Sequence, residues 1–242
     1  MRPGYPPELF DELAELAALQ PGSRVLEIGL GTGQATVPLA ERGYEIVGVE
    51  LGADLAAIAR RNLAGYPSVS VVVAAFEDWP LPAQPFDAVL AATAFHWLDA
   101  ETRVAKAADA LKSDGALATV KTEHVAGGSE SFFAKVQECY ERWDPATPPG
   151  LRLQPSEEIP RDSEEIDRSG RFGPVSFRRY ERDLAYSTEA YLDLLRTYSG
   201  HRALEPDARE ALLGCIGELI DSRYGGSILK RYLFELCVAR RR

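Results

Sequence analysis

Apolar and polar positions follow two different rhythms over the first half of the chain. Short runs rich in valine, isoleucine, leucine and alanine have the composition and length of strands, at residues 23–29, 44–50, 69–75, 86–93 and 116–123. Segments between them repeat apolar residues at helical spacing, at residues 34–43, 53–65 and 100–115, after an opening helix marked by Leu9, Leu13, Leu16 and Leu19. Strands that alternate with helices indicate βαβ units. We therefore predict a doubly wound α/β sheet whose strands are covered on both faces.

Beyond Lys121 this alternation stops. Helical patterns return at residues 127–144, 188–199 and 206–224, and strand composition returns at 175–186 and 228–240. The stretch 144–160 holds five prolines in seventeen residues and few apolar side chains. Burial of these few side chains would not compensate for the conformational entropy that the segment loses when it becomes ordered. We therefore expect 144–160 to be a mobile lid segment.

The charge balance bears on the partners that the protein accepts. The chain of 242 residues is 45% hydrophobic and 26% charged, which is ordinary for a globular protein, and its formal net charge is −10. A phosphate backbone would be repelled by this charge, so nucleic-acid binding is disfavoured. The terminal arginines 240–242 form the one basic run and are interpreted as a solvated tail.

The cysteines and the apolar runs bear on location. Cys139, Cys215 and Cys237 make an odd count without a C-x-x-C pair, which indicates neither a disulfide framework nor a metal site. No apolar run is long enough for a membrane span, and the first residues lack the apolar region of a signal peptide. We expect a reduced, cytoplasmic protein that binds no membrane.

A glycine-rich turn follows the first predicted strand. Gly29, Gly31 and Gly33 fall within five residues, where a strand-to-helix turn presents backbone N–H groups to a ligand. A phosphate-binding P-loop would need Gly-Lys-Ser/Thr, which the chain lacks. A dinucleotide fingerprint would need a third glycine where Gln34 or Thr36 stands. The turn thus matches neither motif, and a tight turn without a ligand is the alternative to a binding site.

The segment Glu27-Ile28-Gly29-Leu30-Gly31-Thr32-Gly33 resembles motif I of the class I S-adenosylmethionine-dependent methyltransferases. A carboxylate ahead of the glycines suits a cofactor with a sulfonium and an ammonium group, and Glu50 stands where an acid can accept hydrogen bonds from ribose hydroxyls. The resemblance extends from residue 20 to 122. It implies S-adenosyl-L-methionine as cofactor, and as its binding residues Glu27, Gly29, Gly31, Thr32, Gly33, Gln34, Glu50, Leu51, Ala75, Phe76, Glu77, Ala92, Thr93 and Ala94.

The same resemblance implies a Rossmann-like, seven-stranded, mostly parallel sheet in a single domain over residues 1–242. Residues 20–122 would form the cofactor-binding core, 172–186 and 228–240 the last two strands, and 123–171 with 187–227 a helical cap over the carboxyl edge. The last strand is antiparallel in this family.

"AFHWLD", with the opening "RPGYP", is similar to small-molecule methyltransferases of the trans-aconitate and ubiquinone-pathway types. His96 is the candidate general base, with a histidine that only hydrogen-bonds its loop as the alternative. Tyr5 either approaches the cofactor or merely packs on the first helix, and Trp97 either lines the pocket or fills the core. The candidate substrate-binding residues are Tyr5, Trp97, Tyr140, Trp143, Tyr198 and Arg202.

These observations predict a methyltransferase that acts on a small organic molecule as monomer or homodimer. A nicotinamide-dependent oxidoreductase remains an alternative, which would prefer NADH. A non-catalytic adenosylmethionine-binding regulatory protein is the other, which would bind the cofactor without methylating anything.

Overall fold

A seven-stranded sheet organises the chain in the computed structural model, which describes residues 3–242. Its strands are β1 (Arg24–Ile28), β2 (Glu45–Glu50), β3 (Val69–Val73), β4 (Phe86–Ala92), β5 (Leu111–His124), β6 (Ser176–Ser187) and β7 (Ser227–Arg240). The spatial order is β3-β2-β1-β4-β5-β7-β6. The predicted seven-stranded sheet is confirmed.

Strands β1 to β5 pair in parallel, β1 with both β2 and β4. The chain builds outward from β1 to β3 and then returns to place β4 on the other side of β1. The strand order therefore reverses between β1 and β4. In open α/β sheets ligands bind outside the carboxyl ends of the strands at such a switch point.

Strand β7 runs antiparallel to both of its neighbours. Arg241 donates its backbone N–H to Gly115, and Val125 donates to Arg231, so residue numbers rise on β5 as they fall on β7. On the other side Gly173 donates to Arg240, and Thr188 donates to Gly226. The predicted antiparallel last strand is present.

Ten α-helices lie within the described part of the chain. They are α1 (Pro7–Leu16), α2 (Thr36–Glu41), α3 (Ala53–Asn62), α4 (Arg103–Ala110), α5 (Glu130–Lys135), α6 (Gln137–Trp143), α7 (Glu164–Arg168), α8 (Thr188–Arg196), α9 (Ser199–Ala203) and α10 (Pro206–Arg223). Among residues 3–242 no helix is both long enough and apolar enough to cross a bilayer.

The chain divides into two compact units. The first, which we call the core unit, comprises Gly4–Thr122, Arg161–Tyr180 and Phe234–Arg242. The second, the helical unit, contains Glu123–Pro160 and Glu181–Leu233. The core unit buries Leu26, Phe86, Val89 and Leu117 of its parallel strands against α4 and α7. The prediction of one domain over 1–242 stays a prediction, and Met1 and Arg2, the first residues of that range, lie outside the described residues.

The sequence placed one boundary wrongly. Residues 100–115 were expected as a single helix, but α4 ends at Ala110 and β5 begins at once, because Leu111 has extended backbone dihedrals and pairs with Phe86 on β4. The segment predicted helical at 127–144 forms two helices, α5 and α6, with Val136 between them.

The predicted lid segment, 144–160, has the irregular backbone that its prolines require. It contains a short 3-10 turn at Ser156–Glu158, and no strand occurs in it, all of its residues being described. Gln154 accepts a backbone hydrogen bond from Ala126, and Glu141 accepts one from Gly150. Its mobility stays a prediction.

The prediction that the cysteines form no disulfide is wrong. Cys139 on α6 and Cys215 on α10 are bonded, 76 residues apart in sequence, while Cys237 is a buried free thiol. An odd count leaves room for one pair, and only the packing of α6 against α10 brings these two together.

Candidate functional site

The turn after β1 needs glycine for two different reasons. Gly29 has a φ of +66°, and a Cβ there would lie 2.6 Å from the Cβ of Ala94 at the end of β4. Gly31 has a φ of +58°, but a Cβ there would meet no atom within 4 Å. The first glycine lets two strand ends approach, and the second keeps bare backbone beside open space. Such a surface suits a ligand that contacts the main chain.

The carboxylate of Glu50 is held in place at the end of β2. One oxygen accepts a hydrogen bond of 2.9 Å from the N–H of Gly31, and the other accepts one of 2.8 Å from Gly52. Two backbone donors therefore fix its orientation, and each oxygen keeps a further lone pair. The next side chain, Leu51, is 73% exposed, an unusual position for a large apolar group.

Glu27 is buried at the end of β1 with only 1% of its surface exposed. Among the described residues its Oε2 has no hydrogen-bond partner, and neither has the buried hydroxyl of Thr36. Burial raises the pKa of Glu27 to about 8, and the charge of Glu50 adds to that rise. A buried carboxyl without a partner is costly. It is therefore suited to receive a cationic group.

The loop after β4 contains a strained residue. Thr93 has a φ of +56°, a conformation that a β-branched side chain seldom adopts. Its hydroxyl lies 3.1 Å from the phenol of Tyr5 and 3.2 Å from the hydroxyl of Thr122. Tyr5 also packs edge-on against Phe10 of α1. Packing on the first helix therefore does not prevent Tyr5 from approaching the cofactor.

The other predicted cofactor residues lie in the same unit. Thr32 accepts a hydrogen bond from the side chain of Asn62. The side chain of Phe76 is buried in the core beneath the ammonium of Lys106, which leaves its backbone for a ligand. Glu77 accepts a hydrogen bond from the N–H of Asp99. Ala75, Ala92 and Gln34 complete this set, along the turns that follow β1, β3 and β4.

His96 and Trp97 are at the surface just beyond β4. Trp97 is 72% exposed, so the alternative that placed it in the core is wrong. The two rings are 4.8 Å apart between centroids and tilted by 44°. They form an exposed aromatic pair three residues after the strained Thr93.

The remaining candidate substrate residues belong to the helical unit. The phenol of Tyr140 lies 3.0 Å from Nε2 of His201, and that of Tyr198 accepts a hydrogen bond of 3.1 Å from Lys230. Trp143 packs beneath the guanidinium of Arg142, and Arg202 is exposed on α9. The structure thus brings Tyr140 and Tyr198 together on either side of His201.

Sequence reasoning did not single out Thr122 or Lys230. Thr122 is an ordinary strand residue, and nothing in the sequence pairs it with Thr93. Lys230 had a signal, since it stands between Ile228 and Tyr232 on the inward side of an alternating strand.

The arrangement suits a cofactor with one cationic end and one hydroxylated sugar. A pyrophosphate would find no cationic partner in the two carboxyl groups, Glu27 and Glu50, near the glycine turn. An ammonium group instead matches the partnerless oxygen of Glu27, and ribose hydroxyls match the fixed carboxylate of Glu50. The residues present therefore fit S-adenosylmethionine better than a dinucleotide.

Comparisons with known proteins agree with this assignment. Residues 25–115 match the family described as a methyltransferase domain. An uncharacterized methyltransferase of Mycobacterium tuberculosis is 37% identical over 119 residues, which are 49% of this chain and 46% of that protein. The chain thus spans about half the length of such curated relatives.

Solved structures agree on the fold. One described as a candidate type II methyltransferase from Anaeromyxobacter dehalogenans has a TM-score of 0.64 at 23% identity, covering 100% of this chain and 98% of that one. Phosphoethanolamine N-methyltransferase 2 of Haemonchus contortus, in complex with phosphomonomethylethanolamine and S-adenosylhomocysteine, has a TM-score of 0.52 at 19% identity, covering 97% and 52%. These likenesses confirm the predicted Rossmann-like methyltransferase fold.

Proposed function

Because residues 25–115 match a methyltransferase domain, we propose that the protein is a class I S-adenosylmethionine-dependent methyltransferase, which transfers a methyl group from S-adenosyl-L-methionine to a small organic molecule. The observation that carries this proposal is the pair of carboxyl groups beside the glycine turn. Glu27 is buried without a partner for one oxygen, and Glu50 is oriented by two backbone donors.

Each part of the cofactor has a matching group in the core unit. Glu27 holds the amino-acid end, and Glu50 holds the ribose hydroxyls. Leu51 covers the adenine with its exposed side chain, and residues 75–77 border the adenine edge. Residues 92–94 lie against the methionine part. When bound, the cofactor supplies a methyl group on a positively charged sulfonium, which is already a strong electrophile.

The chain's own contribution to catalysis is mainly positioning. Holding an acceptor in line with a reactive methyl group replaces a bimolecular encounter by an oriented one. His96 is the proposed general base, accepting a proton from the acceptor as its bond to carbon forms. Tyr5 and Trp97 are the proposed acceptor contacts in the core unit. In the helical unit Tyr140, Trp143, Tyr198 and Arg202 remain candidates that the sequence suggests.

We propose a small acceptor rather than nucleic acid because the net charge of −10 would repel a phosphate backbone. We also propose that it acts as a monomer or homodimer. The Cys139–Cys215 bond removes the support that unpaired cysteines gave to a cytoplasmic location.

The test is calorimetry followed by labelling. Adenosylmethionine and adenosylhomocysteine should both bind, and NADH should not, at millimolar ligand. Incubation of a metabolite extract with methyl-labelled adenosylmethionine should then yield one or more labelled small molecules. Binding of NADH alone would favour the oxidoreductase. Cofactor binding with no labelled product would favour the regulatory protein, and label in RNA or in a protein band would contradict the small-molecule acceptor.

A further inference from the structure

Lys230 is a buried cation in the helical unit, far from the surface position that lysine usually takes. It lies on β7, where alternate residues face opposite sides, and it shares the inward side with Ile228 and Tyr232. Only 3% of its surface is exposed. Its neighbour Arg231 faces the other side and forms two hydrogen bonds of 2.7 Å with Asp183. The ordinary pairing of cation and carboxylate is therefore present next to Lys230 but not at it.

The surroundings of Lys230 are aromatic. Its ammonium nitrogen lies 4.9 Å from the ring centroid of Tyr232, 5.2 Å from that of Tyr198 and 6.0 Å from that of Tyr191. The phenol of Tyr198 accepts its hydrogen bond of 3.1 Å. In the described part of the chain no carboxylate forms an ion pair with it.

The balance of energies leaves this lysine short of stabilisation. Removing an ammonium from water costs several kcal/mol even after relaxation. Cation–π contacts return about 0.5–2 kcal/mol each, and only three rings are near. One hydrogen bond uses one of the three N–H groups. An anion beside Lys230 would supply what the aromatic rings do not.

A second polar group nearby also lacks a partner. Nε2 of the largely buried His124, at the end of β5, has no hydrogen-bond partner among residues 3–242. The His124 ring packs edge-on against Phe133 at 4.4 Å and lies 6.3 Å from the ring of Tyr232. The ring of Tyr232 therefore has both the ammonium of Lys230 and the imidazole of His124 as neighbours. A buried ammonium, a phenol and a free imidazole nitrogen thus meet among flat aromatic surfaces.

We propose that Lys230, Tyr198 and His124 form a binding site for a small aromatic carboxylate within the helical unit. The carboxylate pairs with the ammonium of Lys230 and accepts a hydrogen bond from the phenol of Tyr198 or the imidazole of His124. The aromatic part of the ligand packs among Phe133, Tyr191 and Tyr232. Tyr198 and His124 are partly exposed, whereas Lys230 is buried. The site includes Tyr198, one of the candidate acceptor residues, but its test is a binding measurement that needs no methyl transfer.

The site should bind more tightly as the pH falls. Burial lowers the pKa of Lys230 to about 7, so the ammonium is lost as the pH rises through neutrality. Among the other groups around it, burial lowers the pKa of His124 to about 3 and also lowers that of His201, while it raises the pKa of Tyr140, Tyr191 and Tyr232. Because only the charged form is competent, the dissociation constant should rise about tenfold between pH ~6 and pH ~8.

Calorimetry with benzoate tests the proposal, with benzamide as the uncharged analogue. Wild-type protein should bind benzoate in the millimolar range or tighter and benzamide at least about tenfold more weakly, the value of one lost charged hydrogen bond. Lys230→Met should abolish benzoate binding. Lys135→Met, which removes a lysine from the surface of the same unit, should leave it unchanged. Tyr198→Phe should weaken it about tenfold.

An NMR titration of the lysine side chains makes the test independent of the variants. Benzoate should raise the pKa of Lys230 in the wild-type protein, because an anion stabilises the ammonium. Failure of benzoate to bind, binding that leaves the resonance of Lys230 unchanged, or equal affinity in a folded Lys230→Met variant would each overturn the proposal.

Discussion

The phenol of Tyr5 and the hydroxyl of Thr93 are 3.1 Å apart, although 88 residues separate them in the sequence. Thr93 in turn contacts Thr122, so three hydroxyl groups from the N-terminal segment, the end of β4 and the end of β5 form one chain. The middle member has a φ of +56°, which costs a β-branched residue about 1–3 kcal/mol. The neighbouring hydrogen bonds hold Thr93 in this conformation at the edge of the sheet where the cofactor is proposed to bind.

Two substitutions of Thr93 should differ in their effect on stability, and glycine should cost less than valine. Thr93→Val keeps the strain and loses the hydroxyl contacts to Tyr5 and Thr122, so we expect it to lower the free energy of unfolding by about 1–3 kcal/mol. Thr93→Gly loses the same contacts but removes the strain, and it should cost less than Thr93→Val. Urea denaturation measures both. A glycine variant less stable than the valine variant would show that the backbone of Thr93 is not strained.

Removing the carboxylate of Glu50 should weaken binding of adenosylhomocysteine. Glu50→Ala loses charged hydrogen bonds to the ribose and also frees the N–H groups of Gly31 and Gly52. We expect a loss of about 1.5–3 kcal/mol, or roughly 10- to 150-fold in the dissociation constant measured by calorimetry. Glu45→Ala is the matched control, since Glu45 is exposed at the other end of β2. Equal affinity in both variants would mean that the ribose is bound elsewhere.

The fold could be predicted largely from the sequence because its signals are local. Buried parallel strands are short apolar runs, and glycines such as Gly43, with a φ of +80°, end the helices between them. The boundary at Ala110 escaped prediction because Leu111 becomes extended by pairing with Phe86, a contact that local spacing does not encode. The Cys139–Cys215 bond escaped it for the same reason, since two helices distant in sequence must pack before the thiols meet.

The candidate site divides in a similar way. The placement of Glu27, Glu50 and the glycines follows from strand ends, which the sequence marks. Tertiary packing determines the rest: the hydrogen bond between Tyr5 and Thr93, and the burial of Lys230. An inward lysine on an alternating strand is a visible signal, but its aromatic surroundings come from β5, α8 and the α8–α9 junction.

The pKa of Glu27 predicts a pH dependence of stability. Its folded-state pKa is about 8, above the ordinary value of 4.5, so the folded protein holds a proton that the unfolded chain releases between these values. The free energy of unfolding should therefore fall as the pH rises from about 4.5 to about 8. Glu27→Gln, which cannot lose that proton, should lack this slope and exceed the wild type by at least about 1 kcal/mol near pH ~8. Parallel stability curves for wild type and variant would contradict the assignment, and Glu45→Gln controls for the change of charge.

Reduction of the Cys139–Cys215 bond should destabilise the helical unit. The bond joins α6 to α10 and closes a loop of 76 residues. Its loss raises the conformational entropy of the unfolded chain and should lower the free energy of unfolding by about 2–4 kcal/mol. Denaturation with and without a reductant measures this. A Cys139→Ala/Cys215→Ala variant should show no response to the reductant, because the remaining thiol, Cys237, is unpaired. A response of the same size in that variant would exclude the bond as its cause.

Replacing His96 should separate the two roles considered for it. His96 is exposed beside Trp97 at the carboxyl end of β4, where an acceptor can reach it. If it removes a proton from the acceptor, His96→Ala should lower kcat by about 10²–10⁴ and leave the affinity for adenosylhomocysteine unchanged, because the two carboxyl groups proposed to hold the cofactor lie on β1 and β2. The assay uses the acceptor found by labelling.

His96→Gln is the decisive companion, since glutamine can hydrogen-bond the loop or the acceptor but cannot take a proton. Recovery of kcat in His96→Gln would make His96 a positioning residue, and wild-type turnover in His96→Ala would leave proximity to the sulfonium as the source of the rate. A low kcat in both variants is the result expected of a base.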